Sequence, residues 1–137
     1  LDAALPQVVT LRHLLKQVTM RDEDFFPILR PLDWTNSHEA LLVGCMTRGQ
    51  AVQLLTTLDP YGTTPRREVD LMSSEFQAPR DGSEPLVDGN PLRISSEHTV
   101  KDAYLLMKMA KTGVIYVTDR GVLKGRVTLG TLLCRGS

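Results

Sequence analysis

Three histidines, two cysteines and sixteen carboxylates are the side chains through which this sequence could do chemistry, and their spacing argues against most of it. His13, His38 and His98 stand singly, with no neighbouring ligand set for zinc, so no metal site is expected. Cys45 and Cys134 lie in apolar surroundings and read as buried thiols; two cysteines make no scaffold, and a disulfide between them is a matter of geometry. The sequence holds no G-x-S-x-G, no phosphate-binding P-loop, no dinucleotide-binding glycine fingerprint and no cysteine–histidine motif. His98 follows Glu97 at a helix start, where capping is a better reading than general-base chemistry. The five methionines suit core filling or a docking surface. Trp34 reads either as an anchor of its loop or as a contact with a larger parent protein. A non-catalytic protein is therefore expected.

Composition narrows the classes further. With 16 basic and 16 acidic residues the formal net charge is zero, which leaves no electrostatic footprint for nucleic acid. A chain of 137 residues with 42% hydrophobic content can form one domain or two closely packed half-domains. No apolar run reaches the roughly 18 residues that a membrane span needs, and no signal-peptide pattern is present. The sequence opens on Leu1 rather than Met and closes on Arg-Gly-Ser, as expected of a piece cut from a larger polypeptide.

The elements that would position these residues follow from periodicity. Leu11, Leu14, Leu15 and Val18 recur at i, i+3, i+4 and i+7, one face of an amphipathic helix with Thr10 as its N-cap. "FFPILR" reads as a strand, Pro27 marking a strand start or an edge. After the polar turn "PLDWTNSHEA" comes a second strand, "LLVGCMT". The helix "RGQAVQLLTTL" follows, its apolar side formed by Ala51, Val52, Leu54, Leu55 and Leu58. Farther on, Val100, Ala103, Leu106, Met107 and Ala110 form another helical stripe, with Ser95, Ser96 or Thr99 as the cap. "GVIYVTD" and "VLKGRVT" are strands joined by a tight turn at Arg120-Gly121, and "LGTLLC" opens a last helix.

The order helix–strand–strand–helix thus occurs twice. Gly44, Thr47 and Gly49 recur as Gly125, Thr128 and Gly130, each 81 residues on, while Thr10 and Thr99 are 89 apart. The difference falls mostly in the hairpin loop, long in the first copy and tight in the second; loops absorb insertions. The domain reading is residues 1–59 for the first copy, 60–90 for a partly mobile linker rich in Pro, Gly, Ser and Asp, and 91–137 for the second. Within the linker, "EVDLMSSEF" is the one stretch expected to dock on something apolar.

A threonine opening an amphipathic helix, a strand with Phe-Pro, a polar turn and "LVG-x-hydrophobic-T-R" running into a helix resemble a cystathionine-β-synthase (CBS) domain. Two copies resemble a CBS pair, the Bateman module. The resemblance implies an α+β fold of two β–α–β–β–α units packed about a pseudo-twofold axis, the first short strand of copy one being irregular or cut off near "LPQVV". A narrower resemblance, carried by "LLVGCMTRGQAVQLL", "EVDLMSSEF" and "VIYVTDRGVLKGRVTLGTLL", is to the cytoplasmic CBS pair of eukaryotic CLC chloride channels and chloride/proton exchangers. It implies a regulatory domain on the cytoplasmic face of a membrane. Such a domain would modulate voltage-gated channel gating or transport and contribute to assembly of a homodimer, with the transmembrane part of the parent as its partner. The alternative is a nucleotide-sensing CBS module of a soluble enzyme or of another transporter.

The family resemblance also implies a ligand, an adenine nucleotide such as ATP, ADP or AMP. By position it assigns Thr10, Glu23, Asp24 and Thr131 to the nucleotide. The family's ribose-binding aspartate falls at Thr131 in copy two and at Gln50 in copy one, so both carboxylates are missing. A hydroxyl in place of a carboxylate forgoes about 1.5–3 kcal/mol of charge-assisted bonding, one to two decades of affinity. Read without the family, Thr10 is a helix cap, Thr131 a helix-start residue, and Glu23 and Asp24 a solvated turn.

Overall fold

The structure is a computed structural model that describes residues 3–31, 39–78, 84–110 and 112–128. Four helices and eight strands alternate along the described chain, an α+β arrangement. The chain divides into two compact units: Leu1–Arg30 with Val43–Asn90, and Pro31–Leu42 with Pro91–Ser137.

In the first unit, β1 (Leu5–Pro6) pairs in parallel with β3 (Phe25–Pro31), and β4 (Ala40–Thr47) lies beside β3. The stretch expected to be irregular therefore forms a real strand, and the chain then changes partner. At Gln7 the backbone N–H donates to Leu29 and the carbonyl accepts from Leu71, so β2 (Val8–Thr10) leaves β3 and pairs antiparallel with β5 (Glu68–Asp70). Pro27 sits inside β3 but ahead of its two paired positions, Ile28 and Leu29, where a missing N–H costs the ladder with β1 nothing.

Helices α1 (Leu11–Met20) and α2 (Arg48–Leu58) cover this sheet. Leu11, Leu14 and Val18 of α1 are buried, as are Ala51 and Leu54 of α2. Two residues of the expected stripes are not: Leu15 is 52% exposed and Val52 46%. At 100° per residue Val52 turns well away from Ala51, and Leu15 stands at the edge of its stripe. Leu15 instead borders a shallow apolar hollow of about 170 Å³ with Leu11, Leu55, Pro60 and Pro65.

The core of this unit draws on residues far beyond its helices. Val69, Leu71, Phe76, Leu86 and Val87 are buried with Leu5, Phe26, Ile28, Met46 and Leu54. "EVDLMSSEF" thus docks as expected, as β5 and the short helix α3 (Ser74–Gln77). Cys45, also buried, exchanges backbone hydrogen bonds with Asp88, which fixes 86–88 along β4. Between these strands Gly44 admits the close approach: a Cβ there would stand 2.7 Å from the Met72 sulfur and 3.1 Å from the Asp88 carbonyl oxygen.

The second unit repeats the pattern. β6 (Arg93–Ile94) pairs in parallel with β7 (Val114–Asp119), as β1 does with β3, and β7 pairs antiparallel with β8 (Val122–Thr128). The turn between them has positive φ at both Arg120 (55°) and Gly121 (85°), the mirror-image turn that matches strand twist. The beginning of β4 adds to β8 through Leu41 and Val122. Helix α4 (Val100–Ala110) buries Ala103 and Met107 over Ile94 and Ile115, whereas Val100 is 44% exposed and Ala110 is exposed too. Trp34, His38, Cys134 and the helix expected from "LGTLLC" lie outside the described residues.

Candidate functional site

The three longer helices, α1, α2 and α4, each begin at a threonine, and the threonines decide what the first turn can offer a ligand. The Thr10 hydroxyl oxygen accepts from the His13 N–H at 3.1 Å, so Thr10 caps α1 as its sequence position predicts. Thr47 accepts from the Gln50 N–H at 3.1 Å, and the Gln50 side-chain oxygen accepts from the Thr47 N–H at 2.8 Å, a reciprocal capping box. Thr99 and Asp102 form the same box on α4, with both bonds at 3.1 Å. Of the three candidate caps for α4, Thr99 is the one used. Glu97 and His98 do not cap it; the His98 Nδ1 lies 3.0 Å from the Ser95 hydroxyl.

The Thr99 backbone N–H, and then the contact with its side chain, hold the Asp102 carboxyl below the ordinary aspartate value, with His98 and Lys101 adding to the effect. Nearby, Ser96 donates to Asp119 at 2.8 Å, tying the loop before α4 to the end of β7.

Gln50 carries a second bond. Its side-chain N–H donates to the Pro85 carbonyl at 2.9 Å, so the residue in place of a copy-one carboxylate is engaged at both ends of its amide. Beside it opens a cleft of about 630 Å³ lined by Gln50, Gln77, Glu84, Asp88 and Asn90 among others. Gln77 donates to the Met72 carbonyl at 2.7 Å, and Asp88 accepts from the Asn90 N–H at 2.9 Å. Amides and carboxylates of this kind suit hydroxyl and amino groups better than phosphate.

Glu23 and Asp24 lie in the turn between α1 and β3, with Glu23 half-buried and Asp24 exposed. What organises this turn is Arg48, the first residue of α2. Its guanidinium donates to the carbonyls of Val18, Arg21 and Glu23, the last at 2.7 Å. Its backbone N–H donates to the Asp24 carbonyl at 2.9 Å, and the guanidinium carbon stands 5.6 Å from the centre of the Phe26 ring. Sequence reasoning noted Arg48 only as part of a motif. A basic residue one position after a capping threonine carries no signal of a distant helix end, so its role could not be read locally. The box at Thr47 and Gln50 was legible, as threonine followed three residues later by glutamine.

Thr10 and the Glu23–Asp24 pair stand at opposite ends of α1, a helix of ten residues and hence about 15 Å long. Within the first unit the hydroxyl of Thr10 is thus directed to its own helix. Thr131 lies outside the described residues. Among those described, no three His, Cys, Asp or Glu side chains group as metal ligands, and no helix is long and apolar enough to cross a membrane.

No protein-family model matches the sequence, and no curated protein does. Solved structures do. CBSX2 in complex with AMP superposes with a TM-score of 0.64 at 18% identity, over 97% of this chain and 85% of that one. The fold is that of a CBS-domain pair. The CBS domain of a bacterial CNNM/CorC-family Mg2+ transporter in complex with ATP gives a TM-score of 0.61 at 18% identity, over 95% of this chain and 75% of that one. The cytosolic domain of the Mg2+ channel MgtE in complex with ATP gives 0.59 at 14% identity, over 96% of this chain and 44% of that one. The CBS fold accounts for the repeat: the parallel pairings of β1 with β3 and of β6 with β7, each pair under a helix, are the same unit written twice.

Proposed function

We infer that this chain is a regulatory, non-catalytic CBS pair that senses an adenine nucleotide on behalf of a membrane transport protein. The observation that carries the reading is the duplicated strand pairing under capped helices, a fold shared with domains solved with AMP and with ATP. The site reading keeps Thr10, Glu23, Asp24 and Thr131 as the residues that would meet the nucleotide. A nucleotide acts on the parent only through its difference in affinity between transport states.

Within that reading we assign the parent to the CLC chloride channels or chloride/proton exchangers, the module lying at the cytoplasmic face and contributing to dimer contacts. "LLVGCMTRGQAVQLL" and "EVDLMSSEF" support this. The latter is a buried part of the first unit, through Val69, Leu71 and Phe76, rather than a free tether. Calorimetric titration of the chain with ATP, ADP and AMP tests the sensing: saturable micromolar binding is expected, and its absence for all three refutes it. Deleting the module from the parent tests the rest, since unchanged gating, trafficking and assembly would contradict a regulatory role.

A second reading, an adenine-nucleotide module of a Mg2+ transporter, is favoured by the likeness to the CNNM/CorC and MgtE domains. The parent sequence upstream of Leu1 separates the two, and a soluble catalytic domain there would point instead to an enzyme.

A further inference from the structure

We propose that Arg48 is the positioning residue of the ligand-reading turn between α1 and β3, and that nucleotide affinity in this chain depends on its guanidinium fork without any contact between Arg48 and the ligand. The proposal rests on the nucleotide reading above. It deepens that reading by naming what holds the turn in one conformation.

Four hydrogen bonds carry it. The side chain spans the last turn of α1 and the segment after it, through the carbonyls of Val18, Arg21 and Glu23. The backbone N–H of the same residue holds Asp24. Three of the acceptors close the orphan carbonyl end of α1 or follow directly on it, where a cation also meets the favourable end of the helix dipole. The guanidinium is planar and presents its donors as a rigid fork, so it fixes the directions of several carbonyls at once. A lysine ammonium is a single point on a flexible stem and cannot reproduce that pattern. Phe26, buried in β3 just after the turn, lies under the guanidinium, its ring centre 5.6 Å from the guanidinium carbon.

The result is a turn whose backbone geometry is dictated from α2 rather than by its own sequence. "RDED" has no glycine and no proline to fix its backbone. Arg21 is held to Gln17 by its N–H at 3.1 Å, the last helical bond. From there on Arg48 holds the carbonyls of Arg21, Glu23 and Asp24. A ligand read by backbone groups needs those groups held within about half an ångström, and support of that kind comes from residues behind the site.

The test separates positioning from stability. Arg48→Lys and Arg48→Ala are compared with Leu54→Val, a buried change in the same unit chosen to lower the melting temperature by a similar amount. Calorimetric titration with ADP is run well below all melting temperatures. Positioning predicts that Arg48→Lys weakens affinity roughly tenfold and Arg48→Ala more, while Leu54→Val binds as the unmodified chain does. Equal affinity in Arg48→Lys and the unmodified chain would overturn the proposal, as would an equal loss in Leu54→Val. Hydrogen exchange at the Arg21 to Asp24 amides is read on the same proteins without nucleotide. Exchange there that rises in Arg48→Lys but not in Leu54→Val supports the positioning role. No change there refutes it whether or not ADP binds, and failure of the unmodified chain to bind refutes the nucleotide reading alone.

Discussion

Gln50 and Pro85 are joined by a 2.9 Å hydrogen bond from the glutamine amide to the proline carbonyl, across 35 residues of sequence. The same glutamine completes the capping box of α2 with Thr47. One side chain thus starts a helix and fastens the chain that returns over it.

Gln50→Ala removes both bonds, and a loss of about 1–2 kcal/mol in unfolding free energy is expected. Gln50→Glu keeps an acceptor for the Thr47 N–H but has no donor for Pro85. It should fall between the two, and urea unfolding followed by circular dichroism reads all three. A Glu variant as stable as the unmodified chain would show that the bond to Pro85 contributes nothing.

Thr10→Ala should cost about 1 kcal/mol by loss of the cap on α1, and Thr10→Ser should recover most of it. Nucleotide titration of the serine variant is the informative half. If the hydroxyl serves only the His13 N–H, serine restores stability and affinity together with the unmodified geometry.

The Asp102–Thr99 box gives α4 a pH dependence of known sign. The folded carboxyl titrates below its ordinary value because it accepts from the Thr99 N–H. The stabilisation is therefore complete above the unfolded value, about 3.9, and is lost as pH falls through the lower folded value. Amide exchange or chemical shifts at the start of α4 should follow that loss on acidification. In Asp102→Asn the acid-dependent step should vanish.

Phe76→Ala is expected to cost about 3–5 kcal/mol, the range for emptying a buried aromatic site. A stretch that merely tethered two domains would show almost no change. Thermal unfolding of the variant distinguishes these outcomes at once.

Arg120 holds φ at 55° in the turn between β7 and β8. Asparagine tolerates that region better than arginine, so Arg120→Asn should stabilise by about 0.5–1 kcal/mol. Gly121→Ala should do the opposite, since its φ is 85° and the new Cβ would stand 3.1 Å from a Leu41 methyl.

The sequence was most legible where a signal is local. Thr10 with the stripe Leu11, Leu14 and Val18 marked α1 to its first residue, and Arg48 to Leu58 matched α2 at both ends. The tight turn at Arg120-Gly121 was equally plain. What was not legible depends on partners remote in sequence. Periodicity includes Leu15 and Val52 in their stripes, but only the packed neighbours decide which edge of a helix face is covered. "EVDLMSSEF" was legible as a docking stretch, but that its first three residues form β5 follows only from Val8 to Thr10 opposite them. The turn holding Glu23 and Asp24 has ordinary acidic composition, and the arginine that shapes it sits on another helix.

The burial of Val69, Leu71, Phe76, Leu86 and Val87 also sets the order in which this protein can be born. Helices α1 and α2 are complete once Leu58 has been made, yet the core they share stays open until the chain through Asn90 has left the ribosome. At roughly 5–20 residues per second this is a wait on the order of seconds, during which the part of the core that Val69, Leu71, Phe76, Leu86 and Val87 complete stays uncovered. Nascent chains of this protein should therefore attract chaperones most strongly in that interval, and release them when the strand from Glu68 and the segment at Leu86 arrive.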